Sequence, residues 1–228
     1  MARTGRPGWG RRLRRWGWAV VLLWPAAALS WTVADLVGQS VDRLQFWVPL
    51  LCGALCWGVV FAWLPRPAWL YVVGHELTHA LWTWLFGGRV KSFRVSSAGG
   101  EVVVSKSNSW ITLAPYFFPL YAVLWAGGYL LLHWATGWDR DRVGLNLGLG
   151  FAYGFHVTLT WQVLRLGQPD LAGEGWVFSG AFIWNVHALL LLLVLPGLTG
   201  TTTLPAALGM AVERAGRVIQ LLGRMLAG

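Results

Sequence analysis

Charge is what this chain has least of. Only 12% of its 228 residues are Asp, Glu, Lys or Arg, against about 25% in an ordinary soluble domain. A water-soluble core of this size needs more polar surface than that, which excludes a soluble globular class. Acidic residues are scarcer still, 9 against 18 Lys and Arg, for a formal net charge of +9. Cysteine is nearly absent. Cys52 and Cys56 sit four apart in one apolar run, with no second pair to complete a metal site or a disulfide framework, and they read as small apolar residues of a helix. No repeat of solenoid type and no long disordered linker interrupts the chain.

Apolar residues make up 56% of the sequence, with 18 tryptophans, several of them at segment ends as interfacial anchors would be. Six runs are long enough to cross a bilayer. They cover about Trp16–Val37 (containing Pro25 and Asp35), Phe46–Leu64, Trp69–Phe86, Trp110–Trp134 (containing Pro115 and Pro119), Val143–Leu166 and Trp176–Leu195. Arg3, Arg6, Arg11, Arg12, Arg14 and Arg15 crowd the start, directly before the first run. That placement reads as a cytoplasmic anchor facing anionic headgroups. No basic face recurs elsewhere, so nucleic acid is not an expected partner. The first run reads as a retained anchor, although its arginine-rich start and the stretch Ala26–Ser30 also suit a cleaved leader.

Between the third and fourth runs, residues 89–107 alternate apolar and polar positions around Ala98-Gly99-Gly100, which predicts a β-hairpin. Its exposed edge is able to pair with an extended peptide. Residues 205–226 place Leu208, Val212, Ile219, Leu222 and Leu226 among Arg214, Arg217 and Arg224, the pattern of an amphipathic helix on a membrane surface or a solvated surface helix. The distribution of cations favours both termini in the cytoplasm, but Arg89, Lys91, Arg94 and Lys106 then fall on the opposite side. The expected fold is an all-α polytopic membrane protein, with about six transmembrane helices and a small β-hairpin after the third. Residues 1–66 form a basic segment with two accessory spans, 67–198 a membrane core and 199–228 an amphipathic tail. The expected setting is a bacterial-type cell membrane.

The chemistry concentrates in residues 75–79, His-Glu-Leu-Thr-His. Positions i and i+4 of a helix lie on nearly one face, so His75 and His79 can offer two imidazole nitrogens to one zinc ion. Glu76 stands about 100° round the helix, within reach of a water on that metal, as a general base requires. In such sites the metal acidifies the water, and the glutamate passes its proton to the leaving amine. By composition the motif arises by chance in roughly one such chain in a few hundred. Ionisable groups in mid-span are costly, by about 2.5–3.5 kcal/mol on insertion scales, and mark function.

A catalytic zinc ordinarily has three protein ligands and an open position. Asp170 in Gly-Gln-Pro-Asp-Leu follows the fifth run and emerges on the side of the C-terminal end of the third, whatever the absolute orientation. Pro169 helps end the helix there, while an ordinary loop or cap aspartate is the alternative. His156, deep in the fifth run, is the runner-up. His187, Glu174, Asp139 and Asp141 complete the candidates, and Asn185 is a candidate for supporting the site by hydrogen bonding.

These features resemble the site-2 protease family of intramembrane zinc metallopeptidases, over roughly residues 69–195. His75 and His79 match that family's metal-binding histidines and Glu76 its catalytic glutamate. Asp170 in Gln-Pro-Asp-Leu is similar to the aspartate of its Asn-Pro-Asp-Gly motif, with Gln168 and Leu171 departing from the pattern. Residues 96–104 resemble its membrane-associated hairpin. The resemblance implies a Zn2+-dependent endopeptidase acting on a membrane-protein or peptide substrate within the lipid bilayer. Asn108, Asn185 and His156 are candidate donors to the oxyanion. A non-hydrolytic metal-binding scaffold is the alternative, although a purely structural site needs no Glu76. A membrane zincin with a glutamate ligand would have to draw on Glu174 or Glu213.

Overall fold

The computed structural model describes residues 9–65, 67–96, 99–137, 142–165 and 167–227. Helices dominate: α1 (Trp9–Gly38), α2 (Leu44–Trp63), α3 (Ala68–Leu85), α4 (Ser109–Phe117), α5 (Leu120–Thr136), α6 (Arg142–Arg165), α7 (Pro169–Glu174), α8 (Trp176–Thr199) and α9 (Leu204–Ala227). The predicted hairpin is present as β1 (Val90–Ser96) and β2 (Gly99–Val104). Ala98, placed in its turn by the sequence, lies outside the described residues, as do Asp139 and Asp141.

Among the described residues three helical segments are long and apolar enough to cross a membrane: Leu13–Gly38, Leu44–Trp63 and Trp176–Thr199. A fourth arises if Ser109–Phe117 and Leu120–Thr136 count as one span bent by 73°. The sequence reading of six differs by α3 and α6, and the reason is chemical. These two helices bury polar groups, Glu76, Thr78, His79 and Thr83 in one, Asn146, His156 and Thr160 in the other, and those groups dilute their apolar character. The single run expected over Trp110–Trp134 is broken at Pro119. A proline forces the residue before it out of helical geometry, and Phe118 is indeed extended, at φ −99° and ψ 106°.

The chain divides into two compact units, residues 44–168 and residues 1–43 with 169–228. In the first unit α2 lies against α6 at backbone-contact distance. A Cβ on Gly53 would stand 1.9 Å from the Leu147 carbonyl oxygen, and one on Gly150 would stand 1.8 Å from that of Leu50. Only glycine permits such an approach, the small-residue packing that joins helices where lipid supplies no hydrophobic drive. Trp57, Phe155 and Leu159 form the adjoining core, with Tyr121 packed on it, and the Trp57 indole N–H donates to Thr158 Oγ1 at 2.7 Å.

In the hairpin Phe93 pairs with Val102, Arg94 with Glu101 and Val95 with Gly100, and the register is irregular between Val90 and Ser92. A lone hairpin is marginal in water; this one packs both strands on α3. Val102 and Val104 are half-buried, while Phe93 and Val103 stay exposed.

In the second unit α1 packs on α8 and α9. Asn185 Nδ2 donates to the carbonyls of Leu22 (3.0 Å) and Ala181 (2.7 Å), and the Trp184 indole donates to Ser30 Oγ at 2.8 Å. Asp35, the acid inside the first apolar run, forms an ion pair with Arg214 of α9. The Arg214 guanidinium also lies 5.6 Å from the Trp31 ring centroid, a cation–π distance. The amphipathic tail thus gives a half-buried cation to the one acid of the first span.

Candidate metal centre

Helix α3 is apolar apart from its site residues and two threonines whose hydroxyls bond back within the helix, Thr78 to the Gly74 carbonyl (2.7 Å) and Thr83 to that of His79 (2.8 Å). With those groups satisfied internally, the remaining ionisable groups at its centre are His75, Glu76 and His79. The two imidazoles lie side by side, ring centroids 4.9 Å apart at 79°. Glu76 and His79 are buried.

The donor set fits a zinc ion. His79 Nδ1 lies 2.8 Å from the Ile111 carbonyl oxygen. A carbonyl only accepts, so Nδ1 carries the proton and Nε2 is left with its lone pair. An outer hydrogen bond of this kind orients a histidine when it ligates a metal. Ile111 is fixed in the first turn of α4, with Asn108 Oδ1 accepting from the Ile111 N–H at 2.9 Å. His75 is held by rings: Tyr116 meets it edge-on at 5.4 Å, and Tyr71, one turn earlier, brings its hydroxyl to 3.5 Å from Nδ1.

The two flanks of this helix face differ. On the Glu76 side lies the hairpin, so close that a Cβ on Gly100 would stand 2.5 Å from Glu76 Cγ and 2.8 Å from Val72 Cγ1. On the other side a cavity of about 20 Å³ is lined by Tyr71, His75, Thr78, Tyr121, Phe155 and His156, among others. That is room for one water. Tyr121 is pinned there by its hydroxyl, which donates to the Leu70 carbonyl at 2.5 Å.

Asp170 lies in the first turn of α7, half-buried, in the second unit. Glu174, at the end of α7, is ion-paired with Arg15 at 3.0 Å, which occupies it as a structural acid. His187 lies on α8. Asn185, considered as a support for the site, instead gives its amide hydrogens to Leu22 and Ala181. Asn108 is a helix cap. His156 is buried in α6 and faces the same cavity as His75. Two participants escaped sequence reasoning. The Ile111 carbonyl leaves no side-chain signal, and Gly100 was read as a turn residue although it is a strand residue lying on Glu76.

The family model described as Peptidase M50B-like matches residues 47–165, just over half of the chain, and it spans α3, the hairpin and His156. No curated protein and no solved structure matches the chain.

Proposed function

Because the chain belongs to the Peptidase M50B-like, or site-2 protease, family, we propose that it is an intramembrane zinc metalloendopeptidase, hydrolysing peptide bonds in or near transmembrane segments of partner proteins. The observation that carries this reading is His79, whose Nδ1 faces the Ile111 carbonyl at 2.8 Å, the tautomer in which Nε2 bears the lone pair, on the same helix as His75 and about one turn from Glu76. His75 and His79 hold the metal, with Asp170 as third ligand. Asp170 is supported by its similarity to the family's aspartate and by its place just beyond α6. α3 and α6 cross the bilayer with the three apolar spans and the bent α4–α5 pair, giving six crossings.

Zinc bound there supplies Lewis acidity to a water and to the scissile carbonyl. The protein's own groups do the rest. Glu76 takes the proton of the attacking water and passes it to the leaving nitrogen. Burial of Glu76 under Gly100 excludes bulk solvent from that proton. A substrate segment, unwound to an extended chain, pairs with the hairpin edge. The groove of about 380 Å³ along Arg94–Ser96 and Gly99–Glu101 is where it enters.

The test is metal content per chain in detergent for the wild type, His79→Ala and Asp170→Ala, together with turnover of a fluorogenic transmembrane peptide by Glu76→Gln. About one zinc in the wild type, lost in both ligand variants, with Glu76→Gln loaded but inactive, is the expected result. A folded wild type without zinc would refute the reading. A loaded Glu76→Gln protein with full turnover would remove Glu76 from its role, and zinc retained in Asp170→Ala would remove Asp170.

A further inference from the structure

We infer that His156 is a catalytic residue of this site, the donor that stabilises the oxyanion of the scissile carbonyl, rather than a zinc ligand or a packing histidine. The inference rests on the metallopeptidase reading and deepens it. The sequence offers Asn108, Asn185 and His156 for the role, and the structure separates them. Asn108 caps α4. Asn185 donates both to α1 and within α8. His156 is buried at 7% exposure on α6 and faces the water-sized cavity that His75 also lines.

Its position is the one the reaction needs. Round α3, His75 and His79 differ by about 40°, and Glu76 lies about 100° from His75. The hairpin covers the Glu76 side, at Val72 and Glu76. Tyr71, Gly74, His75 and Thr78 line the cavity, together with His156 of α6. The general base and His156 therefore flank the histidine pair from opposite sides. During hydrolysis the water oxygen bonds to the carbonyl carbon, and the C=O π pair moves onto the carbonyl oxygen. The water proton goes to Glu76 and then to the leaving nitrogen as the C–N bond breaks, yielding a carboxylic acid and an amine; the acid's proton then passes to the amine, giving carboxylate and ammonium. Attack from the Glu76 side leaves the developing negative oxygen toward the cavity, where an imidazole N–H meets it. His156 ends the cycle unchanged. Phe155, next in sequence and 5.2 Å from the Tyr121 ring, belongs to the rigid core beside Trp57, so the donor is held on a packed helix, as preorganised stabilisation requires.

The experiment uses the full chain in detergent, loaded with Co2+ in place of zinc, and acetohydroxamate as the probe of carbonyl-oxygen binding. The expected result for His156→Ala is unchanged metal content and thermal midpoint, at least a tenfold weaker acetohydroxamate affinity by visible absorption, and recovery of most of that affinity in His156→Gln. With a fluorogenic transmembrane peptide, kcat falls about 100-fold or more with little change in KM, the effect of losing one oxyanion donor. Metal lost in His156→Ala would overturn the proposal in favour of ligation. Unchanged hydroxamate affinity on a loaded His156→Ala protein would overturn it in favour of packing. A folded wild type that takes up no metal fails the metallopeptidase reading itself, and the oxyanion role with it.

Discussion

Gly100→Ala is the most exacting test of how the hairpin and the general base are fitted together. The added Cβ would lie 2.5 Å from Glu76 Cγ, 2.8 Å from Val72 Cγ1 and 2.9 Å from Glu76 Oε1. Carbon–carbon contacts settle at about 3.5–4.0 Å, so β2 or the Glu76 side chain has to move by roughly 1 Å. Gly100 is not among the positive-φ glycines, so alanine meets no backbone strain and the whole effect comes from this contact. Overpacking of this kind costs about 1–3 kcal/mol of stability. A 1 Å misplacement of a reacting group lowers turnover by about 100-fold. Metal content should not change, because His75 and His79 are held from α4 and from the Tyr71 and Tyr116 rings rather than by the hairpin. The assay pairs zinc per chain with kcat on a fluorogenic transmembrane peptide. Gly127→Ala serves as control, since its Cβ meets nothing within 4 Å. A Gly100→Ala protein with wild-type kcat would refute the argument, because the hairpin would then not be seated on Glu76.

Gly150→Leu should prevent the α2–α6 approach, since even a Cβ falls 1.8 Å from the Leu50 oxygen; poor recovery of folded protein in detergent is the expected outcome, and a normal thermal midpoint would contradict the packing. Asp35→Ala leaves Arg214, whose side chain is 13% exposed, without its carboxylate, and should destabilise by about 1–3 kcal/mol. Adding Arg214→Met should recover most of that loss, and a double-mutant cycle with no coupling would show the pair to be inert. Chelation of the metal should abolish turnover and lower the thermal midpoint, with both restored by Zn2+. At a metal concentration 1,000 times Kd the stabilisation removed is about 4 kcal/mol, and an unmoved midpoint would place no metal in the fold.

The helix bearing His75, Glu76 and His79 was legible because its geometry is local: one period of 3.6 residues decides which side chains share a face. The hairpin was legible for the same reason, from alternation around Gly99 and Gly100, although its register shift between Val90 and Ser92 was not. The bend between α4 and α5 follows from Pro119, yet the run read as one span because hydropathy averages over a break that two residues make. α3 and α6 show the converse. They read as spans by length, but the polar groups that give the site its chemistry lower their apolar average.

The sequence by itself determined the membrane class, the His75–His79 pair with Glu76 on one helix, and the family, because composition and short-range spacing carry those properties. Tertiary structure alone decided that the Ile111 carbonyl sets the His79 tautomer, that Gly100 lies on Glu76, that Asp35 finds Arg214, and that His156 shares a cavity with His75. Each of these joins residues between 24 and 179 positions apart. Such contacts depend on how helices and strands are packed, and a pattern confined to one helix or one strand holds no record of what will be packed against it.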